Sequence, residues 1–198
     1  AEEVYRQRYR VKKRLDEMPV IEYRDDTYQC DTMFYPLRGK TRAVFCGIEM
    51  TTRIGFIRAY AGATPTATGC VKILKEMVKE VGVKHLSCDP GSEFNNKAVK
   101  DFCKSAGIDI YYTQTGETKE KGMIERFNKT VREQLNQYVE LVGWNWVKGL
   151  PAIEEVYNHK THRSIGEAPA DVDKQDKERI RQSAIERGFA YLRLLRQF

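Results

Sequence analysis

Residues 122–138 read GMIERFNKTVREQLNQY, and their apolar side chains recur every three or four residues. Such a recurrence predicts a helix with one apolar stripe that packs against a sheet. The stripe consists of Ile124, Phe127, Val131, Leu135 and Tyr138. An adjacent polar face, also at helical spacing, carries Glu125 with cationic neighbours. The stretch therefore predicts a helix, residues 122–141, that is anchored on one side and presents a carboxylate on the other.

The patterns on either side of this helix follow an order that is typical of a mixed α/β sheet. Three strand patterns come first and are joined by short turns, which predicts an antiparallel meander of residues 27–34, 41–50 and 54–61. A helix that ends at Gly82 follows, and a strand, a helix and another strand come next, at residues 84–88, 95–106 and 108–112. Further helices are predicted at residues 144–159 and 174–196.

The composition favours one globular domain with flanking segments. The chain has 198 residues, of which 41% are hydrophobic, and its net charge of +6 favours an anionic partner. No stretch approaches the roughly 20 apolar residues of a membrane helix, and no signal peptide pattern is visible. The five cysteines are odd in number and form no CxxC pair, which predicts buried thiols in a reducing, intracellular compartment.

Three carboxylates from separate segments form the candidate site. They are Asp31, Asp89 and Glu125, and 35 residues lie between the last two. Each has a simpler explanation: a charge within a strand, a turn aspartate, and a surface ion pair between Glu125 and Lys129. Asp31 is costly to bury unless it is paired or bound to a metal. Oxygen ligands from distant segments are what Mg²⁺ requires, and Mg²⁺ assists reactions that cut or join phosphates.

Four ordered elements of the chain resemble the catalytic core of retroviral-type integrases, which are DDE polynucleotidyl transferases. The elements are Tyr28-Gln29-Cys30-Asp31, Cys88-Asp89-Pro90-Gly91-Ser92-Glu93-Phe94, Ile124-Glu125-Arg126-Phe127-Asn128-Lys129-Thr130, and Tyr157-Asn158-His159-Lys160-Thr161-His162-Arg163 with Gly166 and Ala168-Pro169-Ala170-Asp171-Val172. The pattern is most similar to integrases of Maverick/Polinton-type DNA transposons and LTR retrotransposons. The resemblance implies the α/β class with an RNase H-like fold, in which helices pack on a mixed five-stranded sheet.

The resemblance also implies a reaction and its residues. Asp31, Asp89 and Glu125 would be the catalytic metal ligands for two Mg²⁺ ions, with Mn²⁺ as a substitute. The enzyme would trim the 3′ ends of an element and join them to target DNA by two-metal phosphoryl transfer. The implied DNA contacts are Lys119, Lys121, Asn128, Lys129 and Arg132.

The sequence interpretation also includes a division into three segments, the expected partners and the expected location. The segments are a basic N-terminal linker helix, a catalytic core and a C-terminal helical extension, at residues 1–24, 25–172 and 173–198. The implied partners are DNA, as element ends and as target, and further copies of the chain in a homodimer or a higher homo-oligomer. No membrane partner is expected, and the implied location is the nucleus of a eukaryotic host.

Two other functions fit the same sequence. One is a catalytically silent, host-adapted DNA-binding module that keeps the fold without the reaction. The other is an RNase H-type nuclease that cuts RNA–DNA hybrids with the same metals, although the fourth carboxylate usual in that class has no clear position here. His159 and His162 also allow a metal site, but an ordinary helix-end segment is the favoured explanation.

Overall fold

The computed structural model describes residues 26–37, 40–113 and 121–195. The predicted linker helix at residues 1–24 and the predicted DNA contact Lys119 lie outside the described residues. The strands and the helices up to residue 172 form one compact unit. The C-terminal helix belongs to a second unit and is described by itself. The predicted segment boundaries stay a prediction.

A mixed five-stranded sheet forms the centre of the compact unit. Its strands are β1 (Thr27–Leu37), β2 (Lys40–Glu49), β3 (Gly55–Ala59), β4 (His85–Cys88) and β5 (Asp109–Tyr112). They lie in the order β3-β2-β1-β4-β5. The first three strands pair antiparallel, whereas β4 pairs parallel with both β1 and β5. The predicted meander and the predicted mixed sheet are both confirmed.

The described residues contain five α-helices. They are α1 (Ala67–Glu80), α2 (Lys97–Ser105), α3 (Gly122–Leu141), α4 (Leu150–Asn158) and α5 (Lys174–Leu195). Thr66 and Asn96 begin the first two helices, because their side-chain oxygens accept hydrogen bonds from the amides of Gly69 and Val99. Among the described helices, none is long and apolar enough to cross a lipid bilayer.

The predicted helix at residues 144–159 is shorter in the structure. A 3₁₀ turn occupies Trp146–Gly149, and α4 begins only at Leu150, with Pro151 in its first turn. Proline is tolerated in a first turn because the amide there has no partner within the helix. Trp146 is fully buried and donates from Nε1 to the Pro36 carbonyl at 2.8 Å, whereas Trp144 is half exposed.

Side-chain alternation along β1 divides the core into two layers. Tyr28 and Cys30 belong to a cluster with residues of α1 and α2, whereas Met33 and Tyr35 belong to a cluster with residues of α3 and α4. The predicted apolar stripe of α3 lies in the second cluster, since Ile124, Phe127, Val131 and Leu135 are all buried there. Asp31 follows the same alternation and lies on the α3 side of the sheet. All five cysteines are buried and free, as predicted.

Candidate active site

Asp31 lies within β1 on the face that α3 covers. Its Oδ1 accepts a hydrogen bond from the Thr32 amide at 2.8 Å, and its Oδ2 accepts one from the side-chain amide of Asn128 at 2.8 Å. Burial raises the pKa of the Asp31 carboxyl, the Thr32 bond opposes that shift, and the nearby charge of Asp89 adds to it. The carboxylate is thus held in place by one strand and one helix.

Asp89 follows directly after β4, and the sheet register brings it beside Asp31. Cys88 pairs with Cys30, so the next residue of each strand lies at the same position along the sheet. Thr113, which follows β5, donates from Oγ1 to Asp89 Oδ1 at 2.8 Å, and the Lys121 ammonium contacts the same oxygen. Asp31, Asp89, Thr113 and Lys121 line one small cleft.

Helix α3 begins beside this cleft. Its N-cap residue, Lys121, makes no side-chain cap bond, and the Ile124 amide instead donates to Gln29 Oε1 of β1 at 3.2 Å. One turn later, Asn128 donates to Asp31. The buried apolar stripe secures the rest of the helix to the sheet. The first turn of α3, which contains Glu125, is therefore bonded to the strand that carries Asp31.

Glu125 occupies the first turn of α3, and its side chain is exposed. It is not among the residues that line the cleft. Within residues 26–37, 40–113 and 121–195, no three His, Cys, Asp or Glu side chains form a ready metal cluster. The structure thus brings Asp31 and Asp89 together and places Glu125 nearby on the docked helix. The assignment of all three as metal ligands stays a prediction.

The predicted DNA contacts fall into two groups. Lys121 and Asn128 lie at the cleft and are bonded to Asp89 and Asp31, respectively. Lys129 and Arg132 are exposed on α3, and Lys129 lies 4.0 Å from Glu133 in a loose ion pair. The alternative pairing of Lys129 with Glu125 is thus replaced by one with Glu133. Exposed cations beside a carboxylate cleft are available to phosphates, but their role as DNA contacts stays a prediction.

The donor atoms at the cleft fit a hard, hydrated cation. A carboxylate offers roughly four acceptor positions, and the Asp31 bonds to Thr32 and Asn128 occupy only part of them. The Asn128 Oδ1 atom is buried and has no hydrogen-bond partner among the described residues. A buried acceptor without a partner is costly, and a metal-bound water would satisfy it. Carboxylate and amide oxygens are the ligands and outer partners that Mg²⁺ prefers.

The contacts of four residues at or behind the site were not identified from the sequence. Gln29 bonds the first turn of α3, and its position two residues before a strand aspartate was the available signal. Thr113 bonds Asp89, and its position at a strand end was the available signal. Tyr157 packs edge-on against Phe127 of α3, with ring centroids 4.6 Å apart. Asn158 exchanges two hydrogen bonds with the Gly55 backbone of β3. The fourth sequence element therefore supports the helix that carries Glu125.

The two candidate metal histidines make backbone contacts instead. The ring of His159 lies 2.9 Å from the Glu155 carbonyl, and the ring of His162 lies 3.1 Å from the Tyr157 carbonyl. His162 also packs edge-on against Tyr157. These contacts support the interpretation of the segment as a helix end.

Comparisons with known proteins agree with this fold. No protein-family profile matches the chain. The Gag-Pol polyprotein of Koala retrovirus is 33% identical over an alignment of 107 residues that covers 52% of this chain and 6% of the polyprotein. The chain thus spans only a small part of the length of the curated relatives it matches.

Solved integrase structures show the same fold. The catalytic core of HTLV-2 integrase, in complex with magnesium and in its trimeric form, matches with a TM-score of 0.65 and 14% identity over 75% of this chain and 95% of that one. The simian T-cell lymphotropic virus intasome matches with a TM-score of 0.70 and 13% identity, over 76% of this chain and 55% of that one. The chain has the RNase H-like fold of retroviral integrase cores, and the resemblance to retroviral-type cores is confirmed.

Proposed function

We propose that this chain is the catalytic core of an integrase, a metal-dependent DNA strand transferase that trims the 3′ ends of a mobile element and joins them to target DNA. The cleft carries the proposal: Asp31 and Asp89 line it together, and the helix with Glu125 is bonded to the same strand. An integrase-like fold and the similarity to retroviral Gag-Pol sequences support the same class of reaction.

Asp31, Asp89 and Glu125 are proposed to hold Mg²⁺, as two ions, with Mn²⁺ as a substitute. Bound there, Mg²⁺ would supply charge stabilisation for the displacement at phosphorus and lower the pKa of an attacking water. The HTLV-2 core in complex with magnesium supports this choice of metal. Asn128 and the Thr32 amide hold the Asp31 carboxylate in one orientation, and Thr113 does the same for Asp89. The protein therefore holds the carboxylate oxygens of Asp31 and Asp89 in position before DNA binds.

DNA is the proposed substrate, and its phosphates are the proposed targets of Lys119, Lys121, Asn128, Lys129 and Arg132. The exposed Lys129 and Arg132 side chains, together with the net charge of +6, support an anionic partner. Phosphate contacts position the duplex and make binding sensitive to salt, but they do not read sequence.

Assembly and location extend the same proposal. The chain is proposed to act as a homodimer or higher homo-oligomer on paired DNA ends, in the nucleus of a eukaryotic host. The trimeric and dimeric forms of the HTLV-2 core and the simian virus intasome support an oligomer.

A branched DNA that mimics the product of one joining event tests the proposed function directly. The chain is expected to convert it into separated DNA molecules with Mg²⁺ or Mn²⁺, and to do nothing after chelation. Gel electrophoresis of end-labelled DNA measures the products. Cleavage of an RNA–DNA hybrid without any DNA joining would favour the nuclease instead. Tight DNA binding with no metal-dependent chemistry would favour the silent binding module.

Replacing Lys121 with glutamine is expected to strengthen Mn²⁺ binding by the DNA-free chain. The Lys121 ammonium contacts Asp89 Oδ1, which also accepts a hydrogen bond from Thr113, so its removal takes one cation away from that oxygen and makes the cleft more negative. Because both groups are partly exposed, the expected gain is about fivefold, the equivalent of about 1 kcal/mol. Electron paramagnetic resonance of Mn²⁺ measures the free ion.

Lys129→Gln is the matched control, since it removes the same charge from the exposed face of the same helix. Its Mn²⁺ affinity is expected to stay near that of the wild type. Both variants are expected to lower the slope of DNA affinity against salt by about 0.9, the value for one phosphate contact. A weaker Mn²⁺ affinity in Lys121→Gln would contradict the assigned role of the lysine.

A further inference from the structure

A buried polar side chain stands two residues before Asp31 in the centre of the sheet. Gln29 is only 4% exposed and lies between β2 and β4, where it is paired with Ile48 and Ser87. A buried amide is costly unless its polar atoms are bonded, so its position in the core calls for a partner of matching geometry. That partner is the backbone of the neighbouring helix.

Helix α3 lacks the side-chain cap that most helices carry at their start. Its N-cap residue is Lys121, which has no acceptor in its side chain and makes no cap bond. A cap normally accepts from the second or third amide of the helix. Here the third amide, that of Ile124, donates to Gln29 Oε1 at 3.2 Å, so the sheet provides the acceptor.

Three hydrogen bonds join β1 to α3 in register, and the bond between Ile124 and Gln29 is the first of them. Asp31 accepts from Asn128 at 2.8 Å, and the Tyr35 hydroxyl donates to Asn136 Oδ1 at 2.6 Å. Two residues of a strand span roughly 6.6 Å and four residues of a helix roughly 6 Å, so the steps of the two elements match. The three bonds therefore run side by side and resist sliding of the helix along the strand.

We infer that Gln29 is a positioning residue, which caps α3 from within the sheet and fixes the height of Glu125 relative to Asp31. The part of this inference that concerns Glu125 as a metal ligand rests on the proposed function. The cap itself depends only on the bond between Gln29 and Ile124. Loss of the cap frees the first turn of α3, which is the turn that contains Glu125.

The test replaces Gln29 with methionine, which keeps the length of the side chain and removes the acceptor. Hydrogen exchange of the Ile124 amide, followed by NMR, is expected to become about tenfold faster, as for the loss of one hydrogen bond. Mn²⁺ affinity is expected to fall about 10-fold, the lower end of the range for outer partners of metal ligands, because Gln29 acts through the Ile124 amide and does not bond a ligand itself.

Two further variants separate positioning from general stability. Tyr35→Phe removes the bond at the far end of the series and is expected to leave both the Ile124 amide and Mn²⁺ affinity unchanged. Gln29→Glu keeps an acceptor oxygen in either protonation state and is expected to restore the protection of Ile124. If the methionine variant does not fold, Gln29→Asn provides the comparison, because its amide is one methylene too short to reach.

The two measurements also separate this inference from the proposed function. An Ile124 amide that stays protected in Gln29→Met or Gln29→Asn overturns the cap, whatever the activity of the chain. Lost protection with unchanged Mn²⁺ affinity overturns the role in fixing Glu125. The cap is supported if the Ile124 amide loses protection in Gln29→Met and keeps it in Gln29→Glu. This holds even if the wild-type chain fails to join DNA, because that failure would overturn only the proposed function.

Discussion

Replacing Glu125 with glutamine is expected to reduce metal-dependent DNA joining by roughly 10³-fold. Glutamine has the same shape but no charge, so it leaves the fold intact and removes one anionic ligand from the proposed metal site. A metal ion contributes several kcal/mol of charge stabilisation to the displacement, and about 4 kcal/mol corresponds to this factor. Initial rates on the branched DNA, with Mg²⁺ and with Mn²⁺, measure the loss.

Glu133→Gln is the matched control for this prediction. Glu133 lies on the exposed face of α3 two turns further on, where it is 4.0 Å from Lys129. The substitution removes the same charge from the same helix, so any general effect of charge on DNA binding appears in both variants. We expect Glu133→Gln to keep activity within about threefold of the wild type, as for a surface ion pair.

Glu125 differs from the other two carboxylates in its surroundings. Its side chain is exposed and does not line the cleft that contains Asp31 and Asp89. Full activity in Glu125→Gln would refute the proposed ligand set, and the third carboxylate would then have to come from another segment. Equal losses in Glu125→Gln and Glu133→Gln would point to a general effect of charge on α3 in place of metal binding.

Local periodicity explains which parts of the fold could be predicted from the sequence. The buried stripe of α3 repeats every three or four residues, and the side chains of the strands alternate every two, so both patterns can be recognised in the sequence alone. The order of the elements then restricts the topology. A helix precedes each of β4 and β5, and a helical crossover is the usual connection between parallel strands. The placement of Asp31 beside Asp89 follows from the resulting register.

Contacts between distant side chains could not be predicted in the same way. The bond from Ile124 to Gln29 and the ion pair between Lys121 and Asp89 join segments that are 95 and 32 residues apart. Nothing in the local pattern distinguishes a glutamine that caps a helix from one that faces solvent. The surface ion pair also differed from the simplest expectation, since Lys129 pairs with Glu133 and not with Glu125.

Phe127→Ala is expected to lower the free energy of unfolding by about 3–5 kcal/mol, the range found for buried aromatic residues. Phe127 is 1% exposed and packs edge-on against Tyr157 of α4. Its ring also lies over Gly55 of β3, where an added Cβ would come within 2.7 Å of the ring. The substitution therefore leaves a cavity between α3, α4 and β3, and this cavity cannot close unless α3 moves. Urea unfolding measures the change, with an unchanged m-value expected.

Phe34→Ala is the control, because Phe34 lies on β1 but is 47% exposed, and its loss is expected to cost under about 1 kcal/mol. A double-mutant cycle that combines Phe127→Ala with Tyr157→Leu should give a coupling of about 0.5–1.5 kcal/mol between the rings of Phe127 and Tyr157. Equal costs for Phe127→Ala and Phe34→Ala would contradict the packing described for α3. A large cost together with a measurable coupling would mean that the tyrosine of the fourth sequence element stabilises α3, the helix that carries Glu125.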